Sequence, residues 1–100
     1  MYVIIWRYRV VEQHVASFLR HYDDTGEWNQ LFRRDTAYKG TRLLREVDDD
    51  EIYVSIDYWD SRIAYEQFMQ GHADAYAEMN KFCETLTAEE TRIGRFSYPA

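Results

Sequence analysis

One hundred residues, 46% hydrophobic and 17% aromatic, suffice for one domain with its own core and are too few for two. The formal charge is −6 and the twelve Lys and Arg are scattered, which excludes the concentrated basic footprint of a nucleic-acid-binding protein. Cys83 is the single cysteine, so neither an internal disulfide nor a cysteine-based metal cluster is expected, and its natural role is that of a small buried apolar residue.

The first element is a strand, Tyr2 to Val10, apolar on both parities. Val15, Phe18, Leu19 and Tyr22 then recur at helical spacing, which predicts a helix from about Glu12 to Tyr22 with one buried stripe. Asp24 followed by Glu27 resembles a capping box, and Trp28, Leu31 and Phe32 share a face, so a short helical turn is expected over 26–33. A second strand is expected from about Tyr38 to Val47. Asp48, Asp49 and Asp50 supply the turn into a third, Ile52 to Trp59, which also carries large side chains on both parities. Asp60 or Ser61 caps a long second helix whose apolar residues run from Ala64 through Phe68, Ala75, Met79 and Phe82 to Leu86, with a break expected at Gly71-His72. A fourth strand, about Glu90 to Tyr98, ends the chain.

The order βαββαβ predicts an α+β, ferredoxin-like single domain over residues 1–100, its four-stranded antiparallel sheet covered by helices on one face. In this reading the first and third strands lie centrally and parallel, with Tyr2 and Ile52 level. Two helices cover only one face, so the other is expected to be covered by a second copy, in a dimeric α/β barrel. Tyr2, Ile4, Trp6 and Tyr8 are assigned to that outer face together with Ile52, Val54, Ile56 and Tyr58. With no charged leader and no long apolar segment, the chain is expected to be soluble and cytoplasmic, with no membrane partner.

The run Tyr22, Gly26-Glu27-Trp28 and Leu31-Phe32, then Tyr38-Lys39-Gly40-Thr41-Arg42-Leu43-Leu44, then Ile56-Asp57-Tyr58-Trp59-Asp60-Ser61 with Ala64-Tyr65 and Phe68, resembles the antibiotic biosynthesis monooxygenase-like domain family over nearly the whole chain. The resemblance implies a homodimer of ferredoxin-like protomers with a cavity between helices and sheet. It also implies one of several activities: oxidation of polycyclic phenols by O₂ without a cofactor, haem degradation, or none known. The three residues of the haem-degrading branch align with Arg7, Phe68 and about Glu78, so its Asn, Trp and His are all replaced and haem degradation is disfavoured.

Arg7 and Asp57, placed level on the helix-facing side, are expected to form a partly buried ion pair, or to hold a substrate oxyanion with Asp57 orienting it. His72, on the face of Phe68, Met69 and Tyr76, is a candidate general base. These three are the candidate catalytic residues. Trp6, Trp28, Trp59, Tyr65, Phe68 and Tyr76 are the candidate walls for an aromatic small molecule. No cofactor and no metal site are expected: His14 and His21 share a helical stripe but lack a third ligand. The first functional reading is a cofactor-independent monooxygenase of an aromatic or polyketide-like compound. The alternatives are a non-catalytic binding or interaction dimer, and a cofactor-free isomerase or cyclase. Cavity size discriminates: below about 100 Å³, against the roughly 300–1,000 Å³ usual for small-molecule sites, a structural or interaction role is favoured.

Overall fold

The computed structural model describes residues 1–99. In chain order it has β1 (Tyr2–Arg9), α1 (Val15–Tyr22), α2 (Glu27–Phe32), β2 (Tyr38–Arg45), β3 (Ile52–Trp59), α3 (Arg62–Gly71), α4 (Ala73–Cys83) and β4 (Glu89–Ser97), with 3₁₀ turns before α1 and after α4. Among the described residues no helix is long and apolar enough to cross a membrane.

The ends of these elements have local causes. Ser61 caps α3, its Oγ accepting from the Ala64 N–H at 3.1 Å. The long helix breaks where expected: His72, at φ −124° and ψ 27°, ends α3 and begins α4. The Asp24–Glu27 capping box does not form. Gly26 is the N-cap of α2 and makes no side-chain cap bond, while Asp23, not Asp24, closes a small turn by accepting from Thr25 N at 3.0 Å. Gly26 is needed because a Cβ there would lie 2.6 Å from the Arg20 carbonyl oxygen. Strand β2 stops two residues short of Val47, which is left 94% exposed beside the acidic turn.

The sheet order is β2-β3-β1-β4 and every neighbouring pair is antiparallel. The expected parallel β1–β3 pair is thus corrected. The crossover through α1 and α2 makes β2 run with β1, and the tight hairpin then reverses the chain, so β3, inserted between them, opposes β1. One consequence is register. Tyr2 faces Trp59, Ile4 faces Asp57, Trp6 faces Ser55 and Tyr8 faces Tyr53, so even residues of β1 share a face with odd residues of β3.

That face lies under the helices. Tyr2, Ile4, Tyr8, Tyr53 and Trp59 pack with Phe18, Tyr22, Trp28, Leu31, Phe32 and Phe68 in one buried cluster, in which Trp59 and Phe18 are fully enclosed. The outer face carries Val3, Ile5 and Arg7 with Ile52, Val54, Ile56 and Tyr58. The β3 half of the expected outer face is therefore right, and the β1 half, Tyr2, Ile4, Trp6 and Tyr8, is inverted. Leu44 and Phe96 are about half exposed at its edges. Gly40, at φ 119°, supports the irregularity in β2 that leaves Lys39 outside the pairing with β3.

Candidate functional site

Between the helices and the inner face of the sheet lies a cavity of about 40 Å³. Its floor is the sheet: Trp6 and Tyr8 from β1, Thr41 from β2, Ser55 and Asp57 from β3, and Glu90 from β4. Its roof and sides are Tyr22 and Asp23 after α1, Trp28, Asn29 and Phe32 from α2, and Tyr76 and Asn80 from α4. The volume falls below the 100 Å³ that separates the functional readings, and is room for about three water molecules. An open depression of about 500 Å³ outside the edge of β2 shares two of its walls, Asn29 and Thr41, with the cavity.

A directed hydrogen-bond chain enters the cavity. Asn29 Nδ2 donates to Tyr38 Oη at 3.1 Å, and Thr41 Oγ1 donates to Asp57 Oδ1 at 2.6 Å. Because Thr41 spends its only proton on the carboxylate, the very close Tyr38–Thr41 contact must be a donation from Tyr38. All three bonds therefore run toward Asp57. On the opposite side, Tyr8 Oη and Ser55 Oγ are 3.0 Å apart and share one bond.

Burial dominates the electrostatics. It pushes the Asp57 carboxyl up to about 6, against the weaker lowering by the Thr41 hydroxyl. Burial also raises the Tyr8, Tyr22 and Tyr76 phenols, which stay protonated, and raises the Glu90 carboxyl. Asp57 is therefore placed to exchange a proton near neutral pH.

The sequence-derived site residues divide. Trp6, Trp28 and Tyr76 line the cavity with Asp57. Trp59, Tyr65 and Phe68 instead form the packed aromatic core beside it: Trp59 meets Tyr65 and Phe68 with ring centroids 5.4 and 5.2 Å apart. Arg7 does not reach the site. It pairs across the sheet with Val54 on the outer face, so the expected Arg7–Asp57 ion pair and oxyanion hold are ruled out by period two, and Arg7 makes no salt bridge among the described residues. His72 also lies apart. Its ring stacks on Phe68 at 4.2 Å and its Nδ1 donates to the Phe68 carbonyl at 3.2 Å, so it closes the break between helices and does not line the cavity.

Tyr8, Asn29, Thr41, Ser55 and Glu90 were missed by sequence reasoning. The antiparallel register was the available signal for two of them, since it seats Ser55 beside Trp6 and Glu90 beside Tyr8. Among the described residues no cluster of three or more His, Cys, Asp or Glu is arranged to hold a metal ion.

A family model described as antibiotic biosynthesis monooxygenase matches residues 1–81. No functionally curated protein matches the chain. Among solved structures, SnoaB, a cofactor-independent oxygenase from Streptomyces nogalater, is 20% identical, with a TM-score of 0.72 over 99% of this chain and 93% of that one. A conserved protein from Methanosarcina mazei Go1 is 12% identical, with a TM-score of 0.74 over 98% and 92%. A protein from Pseudomonas aeruginosa is 15% identical, with a TM-score of 0.68 over 99% and 94%. At these identities the likeness is one of fold.

Proposed function

The chain belongs to the antibiotic biosynthesis monooxygenase family, and on that premise we propose that it is a cofactor-independent oxygenase of a small phenolic compound with Asp57 as its general base. One observation carries the proposal: a partly buried carboxyl, fed by a one-way hydrogen-bond chain and free of any neighbouring cation, inside an aromatic cavity. Such a group accepts a proton readily once a substrate displaces the remaining water.

In this reading Asp57 takes the proton of an acidic O–H or C–H. The delocalised anion passes an electron to O₂, and the radical pair recombines to a hydroperoxide at the activated methylene carbon. Loss of water then leaves a carbonyl. The methylene and O₂ become C=O and H₂O, so all electrons come from the substrate. Trp6, Trp28 and Tyr76 flank the hydroxyl-bearing end of the substrate, and Tyr8–Ser55 closes the far side.

Oxygen uptake with a polyphenolic anthrone tests this. Uptake should rise through pH about 6 and level off above it, and Asp57→Asn should lower kcat/KM by about a hundredfold or more. No uptake across a broad panel of phenols, or full uptake by Asp57→Asn, would overturn it. The cavity's small volume favours a second reading, a non-catalytic binding or interaction module, which predicts that null result.

The outer face supports a homodimer in either reading. Val3, Ile5, Val54, Ile56 and Tyr58 form an apolar surface continued by the exposed Leu44 and Phe96. A second copy laid on it would bury more than roughly 1,200 Å² in total. Light scattering should give twice the chain mass, and Ile56→Asp should reduce it to one or cause aggregation. A soluble monomer of the unaltered chain at micromolar concentration would contradict the dimer.

A further inference from the structure

We propose that the cavity selects its ligand by charge, taking a phenol that carries a protonated amine and rejecting one that carries a carboxylate or phosphate. This rests on reading the cavity as the working site, and adds the substrate class. The walls include three carboxylates, Asp23, Asp57 and Glu90, and no Lys, Arg or His. Arg92 opposite Trp6 and Arg95 opposite Ile4 face the same side of the sheet but do not line the cavity, and Lys39 and Arg42 line only the outer depression.

An independent observation comes from Asn29. The residue is 6% exposed and its Nδ2 is used on Tyr38, yet its Oδ1 is buried without any hydrogen-bond partner among the described residues. A buried orphan acceptor is destabilising unless a donor arrives. Asp57, only partly buried, accepts from Thr41 on one oxygen, and its other oxygen accepts nothing from the described residues. The cavity thus holds unmet acceptors on Asn29 and Asp57 beside one unmet donor, Trp28 Nε1. A phenol hydroxyl, which both donates and accepts, fits that set.

Size and position fix the orientation. Some 40 Å³ admits a hydroxyl-bearing end, not a polycyclic body, so a phenol O–H would meet Asp57 and Asn29 inside. The ammonium would then lie toward Asp23 and the exposed Glu90. An anionic substituent at the same point would meet like charge.

Three probes of one shape test this: tyramine, para-cresol and para-hydroxybenzoate, titrated anaerobically by calorimetry into the full chain. Tyramine should bind about tenfold tighter than para-hydroxybenzoate, with para-cresol between them. Glu90→Gln, at an exposed position, should narrow that gap, as should added salt. Equal or tighter binding of para-hydroxybenzoate, or no binding of any probe at millimolar concentration, overturns the proposal. Because the readout is binding without oxygen, a failed oxygenase assay beside an intact order of affinities would remove the reaction and leave the selectivity standing.

Discussion

On the helix-facing side of the sheet, Asp57 sits with Ser55, Thr41 and Tyr8 among aromatic rings and has no cation beside it; on the outer side, Arg7 sits among Val54, Ile5 and their neighbours with no anion. Each face thus holds a charge that the other could have neutralised. Pairing them would have made a structural ion pair and held Asp57 low. Separating them raises the carboxyl toward neutrality, which costs stability and makes a base. Arg9, two residues on, shows the alternative: it reaches Glu51 and Asp49 at 3.0 and 3.3 Å, as an ordinary solvated bridge beside the acidic turn.

The largest effect expected is on the enclosed part of the inner face. Trp59 is fully buried against Tyr38, Phe32, Tyr65 and Phe68, so Trp59→Ala should cost about 3–5 kcal/mol, read as a lower denaturant midpoint.

Next in size, and opposite in sign, is Asp57→Asn. A carboxyl whose folded pKa is raised from 3.8 to about 6 contributes stability that is fully present below the unfolded pKa and is lost as pH rises to the folded one. The wild type should therefore lose up to about 2–3 kcal/mol between pH 4 and pH 7 through this group, and Asp57→Asn should flatten that slope and be the more stable protein at pH 7. Thermal unfolding at the two pH values checks it; parallel profiles would contradict it.

A smaller gain is expected far from both faces. A Cβ at Gly71 meets nothing within 4 Å and the residue is helical, so Gly71→Ala should stabilise by about 0.5–1 kcal/mol, measured by chemical denaturation, with oxygen uptake unchanged.

Much of this fold was legible in the sequence because its signals are local. Periodicity placed α1, the aspartates placed the hairpin, and Gly71-His72 placed the break in the long helix. The site was less legible because it depends on a non-local fact, the sense in which β1 and β3 pair. Reading them as parallel put Arg7 beside Asp57 and sent Trp6 and Tyr8 outward; the antiparallel register reverses both assignments at once. His72 reads as a base because it shares a helical face with Phe68, Met69 and Tyr76, and the structure spends it on the Phe68 carbonyl. Asn29 gave no sequence signal, because a polar residue on a short helix reads as solvated until the fold buries it.

The most direct test is the titration of Asp57 itself by carboxyl ¹³C NMR in the wild type and in Arg7→Ala. A midpoint near pH 6 in both proteins, with Thr41→Val moving it higher, is the predicted result. A midpoint near 4 in the wild type, or one that shifts when Arg7 is removed, would mean that the carboxyl is solvated or paired after all, and would contradict the assignment of Asp57 as the base.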